Sequence, residues 1–148
     1  MRIAHLLKGE LARQLRLRGF SVVTTEKDYL QGNQRIVFDV YAEKDNIAVI
    51  EVEEKRTAPV HNVAKTVRWS VRSRRKKRVT LVHVFFEEFY GRSKYNLERD
   101  LAVFIGMLGH HAFPERFDYV PINIPARMTR LAKVSSVPDI AGMISDRI

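Results

Sequence analysis

Phe38-Asp39-Val40-Tyr41-Ala42, Glu43-Lys44-Asp45-Asn46 and Ile47-Ala48-Val49-Ile50-Glu51-Val52-Glu53-Glu54-Lys55 read as two apolar strands joined by a short polar turn. Side chains alternate along a strand, which predicts Asp39 on one face with Val37 and Tyr41, and Glu51, Glu53 and Lys55 together on one face of the second strand. Desolvating an unpaired carboxylate is costly, so acids inside apolar strands need a partner. Three carboxylates on one hairpin predict a divalent metal site and hydrolytic chemistry.

The flanking sequence predicts a mixed α/β chain in the order α-β-β-β-α-β-α-β. Ile3 to Arg18 reads as a helix stopped by Gly19. Phe20 to Thr24 is a short strand, and the polar run Thr25 to Gln34, with Gly32 and Asn33, reads as a loop. The hairpin strands fall near 35–42 and 47–53. Pro59 opens a second helix from about Val60 into a basic cluster. Arg78 to Phe86 is a Val-, Leu- and Phe-rich strand, followed by a helix from Lys94 to Leu108 stopped by Gly109. Phe117 to Ile124 is a strand that Pro121 assigns to an edge. Residues 125–148 carry the weakest pattern, with a short helix near Ile140–Ile148. No repeat or linker divides the chain, so one domain is expected, a core over about 3–86 and an elaboration over 87–148.

Composition sets the surroundings. The chain has 148 residues, 45% hydrophobic and 29% charged, as in ordinary globular domains. No apolar run nears the roughly 20 residues of a membrane span, and Met1 to Lys8 lacks a secretory signal pattern. These features predict an intracellular protein, cytoplasmic or nucleoid-associated. With no cysteine, a metal would be held by oxygen or histidine. The net charge is +9, and Lys65, Arg68, Arg72, Arg74, Arg75, Lys76, Lys77 and Arg78 supply eight of those charges with no acid among them. Such clustering is the electrostatic footprint of a nucleic-acid binder, or else a solvated helix end. Phosphate-loop and dinucleotide-binding glycine motifs are absent.

Helical projection places Ile3, Leu7 and Leu17 on one stripe, with Glu10 inside it and Gln14 on its flank. A core-facing glutamate needs a cation or donors. The alternative is an edge residue that reaches out to an arginine. On the second helix, Val60, Val63, Ala64, Val67 and Val71 form an apolar stripe, while His61, Lys65, Arg68, Arg72 and Arg75 form a basic one. Trp69 lies on the outer flank, where packing is the ordinary role and stacking on a base the alternative. His83 reads as a satisfied core or edge histidine, and His110-His111 as surface residues.

Taken together, Gly9-Glu10 in a first helix ending at Gly19-Phe20, Asp39 in the next strand, Ile50-Glu51-Val52-Glu53 in the following one, and the basic helix and apolar strand after them resemble the PD-(D/E)XK nuclease superfamily, and especially its archaeal Holliday-junction-resolvase-like branch. The resemblance covers roughly residues 3–86. It implies a restriction-endonuclease-like core, a mixed central sheet flanked by helices. It also implies a metal-dependent endonuclease acting on DNA, with branched or junction DNA among the candidate substrates, and a homodimer as the assembly; the sequence leaves junction, duplex, flap and RNA open. Residues 125–148 are a candidate for the dimer interface.

The family places a lysine two residues after its second acid, where this chain has Glu53. Three readings stay open: an E-x-E variant built on Glu51 and Glu53; Glu53-Glu54-Lys55 as the acid-x-lysine; or a lysine from elsewhere, with Lys65 on the next helix. The resemblance implies Mg²⁺ or Mn²⁺ on Asp39, Glu51 and Glu53, with Glu10 and Lys55 as further catalytic residues. The basic stripe and the run after it predict the DNA contacts: His61, Lys65, Arg68, Arg72, Arg74, Arg75, Lys76 and Lys77. Two carboxylates about 5 Å apart repel by about 3 kcal/mol at an effective dielectric near 20, which a cation would relieve. The same fold with vestigial acids would be a non-catalytic nucleic-acid-binding module.

Overall fold

The structure, a computed structural model, describes residues 2–54, 58–74, 76–91, 93–126 and 128–148. Its organising element is an antiparallel hairpin of β1 (Val22–Gln31) and β2 (Gln34–Glu43), closed by a tight turn in which Gly32 takes a φ of 62°. The predicted loop over Thr25–Gln34 is therefore mostly strand. Its residues are polar because β1 is an outer strand of the sheet, and pairing with β2 overrides their weak strand propensity.

From β2 the chain passes through the expected turn into β3 (Ile47–Glu53), antiparallel to it. Helix α2 (Val60–Arg72) then crosses to β4 (Val79–Phe86), which runs parallel to β3. A short α3 (Glu87–Tyr90) and the long α4 (Ser93–Ala112) lead to β5 (Phe117–Ile124), parallel to β4. The five strands lie in the order β1-β2-β3-β4-β5. Every residue of β3 and β4 is buried, as expected for strands covered on both faces.

Two apolar layers sandwich the sheet. On one face α1 (Ile3–Leu17) supplies Leu7, Leu11 and Leu15, and α6 (Val137–Arg147) supplies Ile140 and Ile144. They pack on Val40, Ile50, Val52, Val82 and Val84. On the other face α2 and α4 cover Phe38, Tyr41, Val49, Leu81 and Phe85. Trp69 belongs to this second layer, edge-on to Phe38 at 5.1 Å and to Tyr41 at 6.4 Å, so its role is packing. Residues of the C-terminal region, α5 (Arg130–Ser135) and α6, close the first layer over α1. Val137, Ile140, Ala141 and Ile144 are thereby consumed within the protein's own core.

Gly109 does not stop α4, which runs on to Ala112. A Cβ there would stand 2.8 Å from Val67 and 3.2 Å from Phe117, so the glycine permits close packing on α2 and β5. Among the described residues no helix is long and apolar enough to cross a membrane.

β2 breaks its own alternation at Asp39. Ile36, Phe38 and Tyr41 face the α2 layer, whereas Val40 and Ala42 face α1. Opposite the break, Glu26 takes a φ of 51°, a conformation that a non-glycine residue adopts rarely. β3 pairs only with Val40–Glu43, so the outer half of the hairpin departs from the sheet as an arm.

Candidate active site

The departure of the arm from β3 opens a cleft of ≈ 650 Å³ beside the carboxyl end of β3, where α2 begins. In open α/β sheets this is the position at which ligands bind, because loops and helix starts converge there. Asp39 and Glu51 both line it. Asp39 is fixed by two donors: the Val52 backbone N–H at 2.8 Å on Oδ2 and the Lys8 ammonium at 2.7 Å on Oδ1. The carboxylate thus takes a β3 donor at the point where the β2 backbone leaves the ladder.

Glu51 is deeply buried, and its Oε1 stands 2.7 Å from Lys65 Nζ. Lys65 also donates to the Val37 carbonyl at 2.6 Å, so one ammonium ties α2 to the arm and to β3. Burial pushes the Glu51 carboxyl up to about 8, and the nearby Asp39 charge pushes the same way. Lys65 only partly offsets them. The acids of this cleft therefore favour a positive charge between them.

Glu53 follows a different course. Its Oε1 accepts from Asn62 Nδ2 and lies 3.0 Å from His83 Nε2. His83 Nδ1 is 3.0 Å from the Tyr119 hydroxyl. A neutral imidazole donating from Nε2 to Glu53 and accepting the Tyr119 O–H at Nδ1 satisfies the chain. Burial supports that state by holding the His83 pKa below its ordinary value. The Tyr119 phenol is shifted well upward, by burial first and then by the Glu53 charge. Glu53, expected as a third metal ligand, is thus spoken for by a buried network joining α2, β3, β4 and β5. His83 is the satisfied core histidine that the sequence predicts.

Glu10 does not join the acids. Arg13 binds it through two nitrogens, at 2.9 and 2.6 Å, and Gln14 adds a third donor at 3.2 Å. These bonds, Arg13 first, lower its pKa, and Glu10 lines a separate hollow near Val134. The physical reason is the phase of the helix. The buried row is Ala4, Leu7, Leu11, Ala12 and Leu15, whereas Leu17 is 69% exposed. Lys8 lies within that row, four residues after Ala4 and four before Ala12, and it reaches Asp39. A stripe phased on Ile3 and Leu17 leaves Lys8 outside it, which is why the sequence alone does not single it out.

The basic residues divide. His61, Lys65 and Arg68 line the cleft, and Arg68 donates to Gln34 on the arm. Arg72, Arg74 and Lys76 are exposed beyond it. Lys77 instead pairs with Glu43 at 2.8 Å and donates to the Lys44 carbonyl, at the opposite end of β3 from Glu51. Lys55 and Arg75 lie outside the described residues. His110 stands 3.3 Å from Asp118, and His111 is exposed.

Among the described residues no group of three or more His, Cys, Asp or Glu side chains is arranged to hold a metal ion. Asp39 and Glu51 remain as two hard oxygen donors on one cleft. That pair suits Mg²⁺, which binds through one or two carboxylates and keeps several waters. No protein-family model matches the chain, and no curated protein matches it.

Proposed function

We propose that the chain is a metal-dependent nuclease on a restriction-endonuclease-like core, hydrolysing phosphodiester bonds in DNA. The observation that carries this reading is the placement of Asp39 and Glu51 on one cleft, with Lys65 against Glu51 and with His61 and Arg68 along the cleft wall. Asp39 and Glu51 would hold Mg²⁺ or Mn²⁺, which when bound supplies charge neutralisation and acidifies water. Lys65, against Glu51 at 2.7 Å, would serve in place of the motif lysine that the strand lacks, offering an ammonium to a phosphate oxygen or to the attacking water. His61 and Arg68 bind the phosphates on either side of the scissile bond. Asn62 holds Glu53, and through it the start of α2, so that Lys65 keeps its height over β3.

The second reading is a nucleic-acid-binding module without catalysis. The observation favouring it is that each cleft acid already carries a lysine, Lys8 on Asp39 and Lys65 on Glu51. Cleavage assays with duplex, single-stranded and branched DNA, and with RNA, in Mg²⁺ or Mn²⁺ separate the two. Cleavage that disappears in Asp39→Asn and Glu51→Gln, with binding retained, supports the nuclease. Binding without cleavage of any of these substrates supports the module and overturns the nuclease.

A further inference from the structure

Helix α4 is apolar on two faces. Its buried positions are small: Ala102, Gly106 and Gly109, spaced four and three residues apart. They let the helix sit directly on the Tyr119 ring and on Val67; a Cβ at Gly106 would come within 2.5 Å of that ring. Tyr95, Val103 and Ile105 are partly buried against the same core, while a second set of large apolar residues faces the other way. Leu97, Leu101, Phe104 and Leu108 are 63%, 43%, 59% and 49% exposed, and Met107 and Phe113 extend the patch. A helix apolar on both sides is normally buried on both sides.

We infer that this face of α4 is the contact between two copies of the chain, packed antiparallel about a two-fold axis. The steps of four, three and four residues from Leu97 to Leu108 are those of a coiled-coil seam. Antiparallel pairing lays Leu97 on Leu108 and Leu101 on Phe104, so each large side chain meets another. It also opposes the two helix dipoles, and an interface of this kind closes on itself as a dimer. The half-exposed side chains leave roughly 500 Å² of apolar surface on each copy. Pairing would bury on the order of 1,000 Å², the scale at which specific interfaces begin.

Charge permits the contact. The chain is +9 overall, yet Lys94, Glu98, Arg99 and Asp100 beside the stripe balance one another. A membrane-surface helix would carry Lys and Arg along its polar flank instead. The neighbouring sheet edge offers no easier route, since Pro121 in β5 has no N–H to give a further strand.

Light scattering coupled to size exclusion on the full chain tests the inference. The expected mass is about twice that of the 17.2 kDa protomer, falling about twofold in Leu101→Glu/Phe104→Glu with helical circular dichroism unchanged. Should that double variant fail to fold, Leu97→Glu, at the most exposed stripe position, takes its place. The chain has no native cysteine, so a mixture of Leu97→Cys and Leu108→Cys proteins reports orientation: cross-links between the two variants support antiparallel pairing. A chain monomeric at micromolar concentration, a dimer that survives the glutamates, or Leu97→Cys cross-linking chiefly to itself overturns it. None of these readouts depends on cleavage.

Discussion

Lys65 Nζ stands 2.7 Å from Glu51 Oε1, across the gap between the second helix and the third strand. Removing the ammonium takes away a cation on the helix side that offsets part of the burial of Glu51. Lys65→Met is expected to lower single-turnover cleavage by about 10²-fold or more, with the melting transition retained, and Lys65→Arg to recover part of the loss. Rates for the variants on one oligonucleotide check this; equal rates for wild type and Lys65→Met remove Lys65 from the chemistry.

Stability should fall as pH rises through the Glu51 titration. The folded-state pKa of about 8 lies above the ordinary 4.5, so between those values the native state holds a proton that the unfolded chain has released. The sign follows from linkage: the contribution of Glu51 is full below 4.5 and is lost as pH climbs to about 8. Urea midpoints of metal-free protein across that window should decline, and Glu51→Gln should flatten the decline. A slope unaffected by the substitution would place its origin in other groups.

The buried chain Tyr119–His83–Glu53–Asn62 should behave as a coupled unit. Tyr119→Phe removes one hydroxyl bond and is expected to cost about 1 kcal/mol. His83→Ala leaves Glu53 short of a donor beside a new cavity, and about 3 kcal/mol is expected. Equilibrium unfolding measures both. Strict additivity in the double variant would show that the two residues act independently.

Close approach of the fourth helix to the sheet makes Gly106 intolerant. A Cβ there meets the Tyr119 ring at 2.5 Å, so Gly106→Ala should destabilise by roughly 1–3 kcal/mol through a shift of helix or ring. A neutral midpoint in urea would mean that the helix can slide outward at no cost.

Arg68 lines the cleft and Arg72 ends the same helix, exposed. Replacing both with Ala should weaken DNA binding and reduce the slope of log affinity against log salt by roughly two. Fluorescence anisotropy over a salt series gives the slope directly. Replacing Lys77, which is tied to Glu43, should leave that slope unchanged.

The hairpin, the second helix and the β4 strand were legible because their signals are local. Apolar strands of Val, Ile and Phe flank a polar turn, and Pro59 precedes a clean helical period. β1 was not legible. Thr25 to Gln31 carries no apolar alternation, and only pairing with β2 makes it a strand. Gly109 reads as a stop because a glycine's packing role depends on partners outside its own helix, Val67 far back in the sequence and Phe117 in the next strand.

Taken alone, the sequence determined the apolar strands, the acids within them and the basic helix, since composition and period act over a few residues. Tertiary structure alone decided which acids meet. Strict alternation puts Asp39 with Tyr41, yet the break in β2 turns Asp39 onto Val52 N–H and Lys8 and opens the cleft. Glu51 and Glu53 share one face of β3. Packing nonetheless gave Glu51 to the cleft and Lys65, and Glu53 to Asn62 and His83. A carboxylate's role is set by the donors that reach it at low dielectric, and those donors come from four separate elements.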